Sequence, residues 1–246
     1  MGFIVDIFNT FLYQPLFNAL ILLYQYIPGH DFGIAIIALT ILIKFVFYPL
    51  GNKAIKSQKA LSELQPKVKE VQEKYKDNRE VQAREIMALY KKEKVSPFSG
   101  ILLLLVQLPV LVALYRVFWQ GLNPEQMTLL YSFVPSPEMI NPMFLGIVNL
   151  SQPNMILAVL AGIGQYFQVK MSGMNMVGKN SKSVGNKPDM SKIMQTQMKY
   201  FLPVFTVSIL FRLPSAIGLY WVVTTLFTII QQTFFLKKEK LANKNN

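Results

Sequence analysis

The side chains in this sequence that could do chemistry are few, and they are scattered through apolar surroundings. Lys44 is the one charge within residues 32–49, FGIAIIALTILIKFVFYP, and Thr40 lies four residues earlier, on the same face of a helix. Further along come the amides of Gln107 and Gln165, then Tyr220, Trp221, Thr224 and Thr225. An ammonium on a greasy helix is costly against lipid tails, so the Lys44 face is expected to meet water, protein or a substrate. The chemistry on offer is recognition: a cation that attracts acidic groups, with amides and hydroxyls that hydrogen-bond a passing molecule or one another. Plainer roles compete. Lys44 can snorkel to a nearby interface, Gln107, Gln165 and the threonines can join helices, and Tyr220 and Trp221 can serve as core or interface aromatics.

Covalent chemistry is poorly provided for. The chain has no cysteine, so disulfides, thiolate metal ligands and thiol nucleophiles are excluded. Its single histidine, His30, stands beside Asp31 in a Pro-Gly turn and fits a solvated turn residue. The apolar stretches from residue 32 onward contain no carboxylate, which leaves no metal cluster and no nucleophile–base pair at depth. Nor is there a Gly-rich phosphate loop. No metal, no cofactor and no enzymatic activity are expected.

The elements that must position these residues follow from composition. Of 246 residues 52% are hydrophobic and 15% charged, and the mean hydropathy is +0.33. Soluble domains carry more charge, and the balance fits a polytopic membrane protein with a polar insert. The expected architecture is all-α: five transmembrane helices, an N-terminal interfacial amphipathic helix and a cytoplasmic helical hairpin. Residues 1–30 form the extracytoplasmic interfacial helix, because Asp6, Asn9, Gln14, Pro15 and Asn18 interrupt its apolar run; a sixth span is the alternative. The opening MGFIVDIFNT lacks the basic segment and cleavage site of a signal peptide.

Helix 1 spans 31–50, and the hairpin occupies 51–98. There Leu61, Leu64, Val68, Val71 and Tyr75 make one stripe, Ala83, Ile86, Met87 and Tyr90 a second, with a turn at Asp77-Asn78 and Pro66 at a helix start. Helix 2 spans 99–120 and should kink at Pro109; an extracytoplasmic connection over 121–153 follows. Helix 3 covers 154–172 and carries the small residues Ala158, Ala161, Gly162 and Gly164. A flexible cytoplasmic loop over 173–197 leads to a short helix 4 at 198–212, helix 5 at 213–236 and a basic, disordered cytoplasmic tail at 237–246.

Charge sets the orientation. Of the 25 Lys and Arg, 12 lie in residues 51–98, 6 in 170–199 and 4 in the tail, and five spans put all three zones on one side. The N-terminus is then outside and the C-terminus cytoplasmic. Five helices can form a groove open to the cytoplasm and to lipid, suited to a polypeptide's acidic groups; a small anion or solute transporter using Lys44 as its binding charge is the alternative. Internal repeats, usual in transporters, are not found.

The order of several motifs carries a resemblance. Lys44 followed by Tyr48-Pro49-Leu50, then LQPK at 64–67, MALYKKEKVSP at 87–97, QLPVLVALY at 107–115, LPSAIGLYW at 213–221 and TIIQQ at 228–232 make the chain similar to the bacterial YidC type of the YidC/Oxa/Alb membrane protein insertase family. The resemblance implies a protein of the bacterial inner (cell) membrane, with a hydrophilic groove in the inner leaflet, that passes hydrophobic segments of nascent membrane proteins into lipid. It implies as partners the nascent chains, the ribosome, the Sec translocon and signal recognition particle components; the lysines suit anionic lipids as well, and no DNA is expected. By this matching Lys44 stands where the family usually has arginine, and Thr40, Gln165 and Trp221 fall near positions that line the groove. Lysine keeps the charge and loses the planar fork that captures a carboxylate in two bonds.

Overall fold

The computed structural model describes residues 2–96, 99–120, 124–171 and 197–244. The chain opens on one long helical rod: α1 (Gly2–Phe8), a π-helical turn (Asn9–Tyr13) and α2 (Gln14–Tyr26), with helical backbone angles at both joints. Its polar residues, read from sequence as facing water, largely have partners inside the protein. Asn9 Oδ1 accepts from Arg116 Nη1 at 2.8 Å, and Gln14 Nε2 donates to Leu129 O at 3.0 Å. Asn18, only 3% exposed, donates from Nδ2 to Leu129 O and accepts at Oδ1 from Tyr131 N. Within this rod Val5–Tyr26 is long and apolar enough to cross a membrane.

Helix α3 (Phe32–Val46) begins where Asp31 caps it, Oδ1 accepting from Ile34 N at 2.8 Å. It ends at Phe47, where the chain turns by 66° into α4 (Tyr48–Lys74). Pro49 falls in the first turn of α4, where its missing N–H costs nothing. The apolar run of 32–49 is therefore not one straight helix: α3 has 15 residues, about 22 Å at 1.5 Å per residue. Pro66, expected at a helix start, lies inside α4, which runs through it. A long helix with a buried stripe tolerates the lost bond, since Ile55, Leu64 and Val68 are packed away from solvent on both sides of it.

Asn78 caps α5 (Arg79–Lys92), and α5 folds back along α4. Gln82 Nε2 donates to Gln72 O at 2.8 Å and Lys67 Nζ meets Glu93 Oε1 at 2.6 Å, a pairing order that makes the two helices antiparallel. The Lys67 hydrogen bond and charge hold the Glu93 carboxyl below its ordinary pKa, whereas burial pushes the Tyr90 phenol up.

Helix α6 (Ser99–Gln120) contains Pro109 and carries Arg116, whose guanidinium lies over the Tyr13 ring at 4.8 Å. A 3-10 turn (Pro124–Leu129) leads to a small antiparallel pair, β1 (Met143–Phe144) and β2 (Val148–Asn149). Leu145 and Gly146 both have positive φ, 51° and 68°, as a primed hairpin turn requires. Then come α7 (Met155–Met171), a π-helical turn (Gln197–Phe201), α8 (Leu202–Leu210) and α9 (Ser215–Lys244). The tail read as disordered continues α9 as far as Lys244. Lysine, glutamate, leucine and alanine are good helix formers, and extending an existing helix requires no new nucleus. The expected flexible loop lies outside the described residues apart from Gln197.

Three helices share one direction. The β1–β2 hairpin and the residues after it hold the start of α3 beside the start of α9, through Leu145 N to Asp31 Oδ2 and Ala216 N to Leu150 O. Further along both helices Phe45 meets Phe227 edge to face and Lys44 reaches Thr228, so α3 and α9 are parallel. Gly218 sits against Leu157 and Gly164 against Thr225, so α7 is parallel to α9 too. Against α7, α8 is antiparallel: Gly162 faces Val207, and Tyr166 faces Tyr200. A Cβ at Gly162 would collide with the Val207 side chain, which explains glycine at this approach. The core, with Phe17, Ile21, Ile36, Leu114, Ala161 and Ile217, lies where the N-terminal rod, α3, α6, α7 and α9 converge. By length and composition Val5–Tyr26 and Ser215–Lys238 can cross a membrane, and a third span is available if the bent α3–α4 pair counts as one.

Candidate functional site

Helix α9 has polar side chains at 220, 224, 228 and 231, spacings of four, four and three that fall along one face. Its neighbours bring their own polar groups to that face. From α3, Lys44 Nζ donates to Thr228 Oγ1 at 3.1 Å, and Thr228 in turn donates to Thr224 O at 2.8 Å. From α6, Gln107 Nε2 donates to the Tyr220 hydroxyl at 3.3 Å, and the buried Thr224 hydroxyl oxygen has no hydrogen-bond partner among the described residues. Thr225 turns its hydroxyl back to Trp221 O at 2.7 Å and packs its methyl toward Gly164 of α7.

Lys44 is partly buried, and among the described residues it has no carboxylate partner. A hydroxyl satisfies one of its three donors and leaves the charge uncompensated. Gln107, Trp221 and Thr224 are likewise half-buried, and Tyr220 and Thr225 are buried. Thr40 and Gln165 stand apart from this set. Thr40 is buried and donates to its own helix at Ile36 O, 2.6 Å away. Gln165 is 8% exposed, and its Oε1 has no hydrogen-bond partner among the described residues.

Thr228 and Gln231 were not anticipated from the sequence as part of this set, although the spacing from Tyr220 carries the signal. Gln231 is buried and donates from Nε2 to Tyr48 O at 3.0 Å and to Asn52 Oδ1 at 2.9 Å, on the far side of the bend at Phe47. Gly51 makes room for it, since a Cβ there would lie 2.8 Å from that nitrogen. No group of three or more His, Cys, Asp or Glu that could hold a metal occurs among the described residues. A cleft of about 450 Å³ lies away from this polar face, between α7 and α8.

A predominantly helical chain with apolar helices of spanning length, and polar side chains converging on its last long helix, defines a helical membrane protein. Its sequence matches the family model described as 60Kd inner membrane protein over residues 22–244, and the chain belongs to that family. It is 34% identical over 226 residues to the Membrane protein insertase YidC of Geobacter metallireducens, covering 91% of this chain and 36% of that protein. Proteins of the same name from Syntrophus aciditrophicus and Francisella philomiragia are 36% and 31% identical, over 92% and 87% of this chain and 36% and 34% of theirs. The chain thus spans about a third of the length of the curated relatives it matches.

Proposed function

We propose that this chain is a membrane protein insertase, which moves hydrophobic segments of nascent membrane proteins into the bilayer through a polar groove. The observation that carries the reading is Lys44: a half-buried ammonium beside Thr228, with no carboxylate partner among the described residues, whose counter-charge can come from a passing chain. The names of the relatives agree with it and give no support to a solute transporter. Lys44, Gln107 and Trp221 would form the hydrated wall of the groove, and Thr40, Gln165, Tyr220, Thr224 and Thr225 its packed lining. No covalent step is involved. The acidic part of a substrate is drawn toward Lys44, its polar segment crosses a locally thinned bilayer, and its apolar segment moves sideways into lipid.

The topology proposed is five spans with the N-terminus outside and the C-terminus cytoplasmic. The shared direction of α3, α7 and α9 supports it, because the three basic zones all follow the C-terminal ends of these helices. The short α3, α7 and α8 support local thinning. Helix α1 through α2 would lie at the outer interface, a sixth span being the alternative. The α4–α5 hairpin and the C-terminal end of α9 would meet ribosome, Sec translocon, targeting factors and anionic lipid on the cytoplasmic side.

The test is insertion of a short single-span substrate with an acidic translocated tail into liposomes holding the purified chain. Lys44→Arg should insert at a rate close to wild type, and Lys44→Ala should be at least severalfold slower, with a smaller deficit when the tail is neutral. Equal rates for acidic tails in wild type and Lys44→Ala would sink the electrostatic role. No insertion by any variant would sink the function.

A further inference from the structure

The cleft between α7 and α8 has no part in the polar face of α9. Val159, Gly162 and Ile163 form one wall and Pro203, Val204 and Val207 the other, with Phe211 at one end and Tyr166 at the opposite end. Gly162 is what shapes it: the missing side chain brings α8 close at that level, and the outward residues Ile163 and Val204 remain 49% and 65% exposed. The walls are apolar, yet the Tyr166 end is not. Lys199 Nζ lies 5.9 Å from the centre of the Tyr166 ring and 5.1 Å from that of Tyr200, so a cation stands over two phenols at the mouth of a greasy slot. Lys170 is one turn beyond Tyr166 on the same face of α7.

We propose that this cleft is a binding site for one anionic phospholipid, with an acyl chain along the α7–α8 slot and the headgroup phosphate on Lys199 and the hydroxyls of Tyr166 and Tyr200. The Lys199 end of the slot is the end toward which α3, α7 and α9 all run, where the basic zones of the sequence gather, so the site belongs to the leaflet facing them. Basic pockets between helices at that level take anionic headgroups, because the cation meets a phosphate at the depth where apolar walls end. The rings hold the ammonium close to the slot and leave its remaining donors free for an anion. A slot from Val159 to Tyr166 rises about 10 Å along α7, enough for the upper half of an acyl chain. The proposal stands whether or not the chain inserts proteins.

The full chain is stripped of lipid in detergent, then offered equal amounts of phosphatidylglycerol and phosphatidylcholine with identical acyl chains, and the retained lipid is counted by native mass spectrometry. Wild type should retain phosphatidylglycerol in preference. That preference should fall about fivefold in Lys199→Gln, the effect of one lysine near an anionic surface, and return in Lys199→Arg. Val204→Trp, which fills the slot from its exposed side, should lower phosphatidylglycerol retention with an unchanged melting temperature. Equal retention of the two lipids by wild type overturns the proposal, as does an unchanged preference in Lys199→Gln or an equal fall in the distant Lys53→Gln. Displacement of the lipid by millimolar inorganic phosphate alone would assign Lys199 to a free anion and overturn it too.

Discussion

The two ends of the helix bundle are held by different means. At the end where α3, α7 and α9 begin, the connection between α6 and α7 ties the helix starts together through backbone groups. Ser215 N donates to Gln152 O at 2.9 Å, Ala216 N to Leu150 O at 3.1 Å and Leu145 N to Asp31 Oδ2 at 2.5 Å, and Asn154 caps α7 through Leu157 N. The N-terminal rod closes the rim, with Asn18 gripping Leu129 and Tyr131 and the Tyr24 hydroxyl accepting from Asn141 N. At the opposite end, α3 and α4 meet α9 through side-chain bonds that include Lys44 to Thr228 and Gln231 to Tyr48 and Asn52. A rim knitted by many bonds from several elements, two of them backbone to backbone, opens only with the fold, whereas a few side-chain bonds around a bend can open locally. Motion, if the groove works as proposed, belongs at the second end.

The largest effect should come from cutting the rim. Asn18→Ala removes two bonds to the connection and leaves the Tyr131 N–H without its acceptor, in surroundings where Asn18 itself is 3% exposed. A buried donor stranded in this way costs about 1–3 kcal/mol, and with the lost bonds a destabilisation of about 2–4 kcal/mol is expected. Thermal unfolding in detergent measures it. A change below about 0.5 kcal/mol, the level of an ordinary surface substitution, would show that the rod does not secure the rim.

Loosening the other end should cost less and change shape more. Gln231→Leu leaves Asn52 and Tyr48 O to find other partners near the bend, and about 1–2 kcal/mol is expected. Gly51→Ala should disturb the same contact from the other side, because its Cβ would sit 2.8 Å from Gln231 Nε2. Since both act on one contact, the double variant Gly51→Ala with Gln231→Leu should be clearly milder than the sum of the singles. Spin labels on α5 and α7 should report a broader distance distribution in Gln231→Leu and an unchanged one in Asn18→Ala. The reverse pattern would invert the comparison between the ends.

How much of this was legible in the sequence depended on which physical signal each feature left. Long apolar runs and the charge count fixed the helical membrane character, because both are properties of composition. The stripes around Leu64 and Val68 and the turn before Asn78 marked the paired helices through period and cap. The polar residues of the N-terminal rod misled, since Asn9, Gln14 and Asn18 look alike whether they face water or a distant backbone carbonyl. The bend at Phe47 was hidden by an unbroken apolar run, and Pro49 pointed to a helix start that was read as an end. Lys44, Gln107, Tyr220 and Thr224 could be singled out by being polar in greasy stretches. Thr40, chosen on the same ground, satisfies its hydroxyl within its own helix. Gln231 is as polar in an apolar stretch and falls on the face of Tyr220, Thr224 and Thr228, but nothing local shows that its partners are a carbonyl and an asparagine 179 or more residues away.

The smallest expected effect lies in the hairpin, where the Lys67–Glu93 pair joins α4 to the residue after α5. Glu93 is exposed, and its carboxyl is held below the ordinary value of about 4.5 by the hydrogen bond from Lys67 and then by that residue's charge. A carboxyl whose folded pKa is lowered contributes its stabilisation fully above the unfolded value, and loses it as pH falls through the lowered one. The α4–α5 contact should therefore be unchanged from neutral pH down to about 5 and loosen only at more acid pH. Solvent and salt screen an exposed pair, so the change is small and should shrink further in high salt. Amide hydrogen exchange over Tyr90 to Glu93 reads it: protection should drop on acidification, after correction for the intrinsic rate, in wild type and stay flat in Glu93→Gln. The amides at Ser215 and Ala216 should keep their protection throughout, since the bonds they make to Gln152 O and Leu150 O involve no titrating group. Equal loss at both places would mean that acid acts on the whole bundle and that the pair has no separate hold on the hairpin.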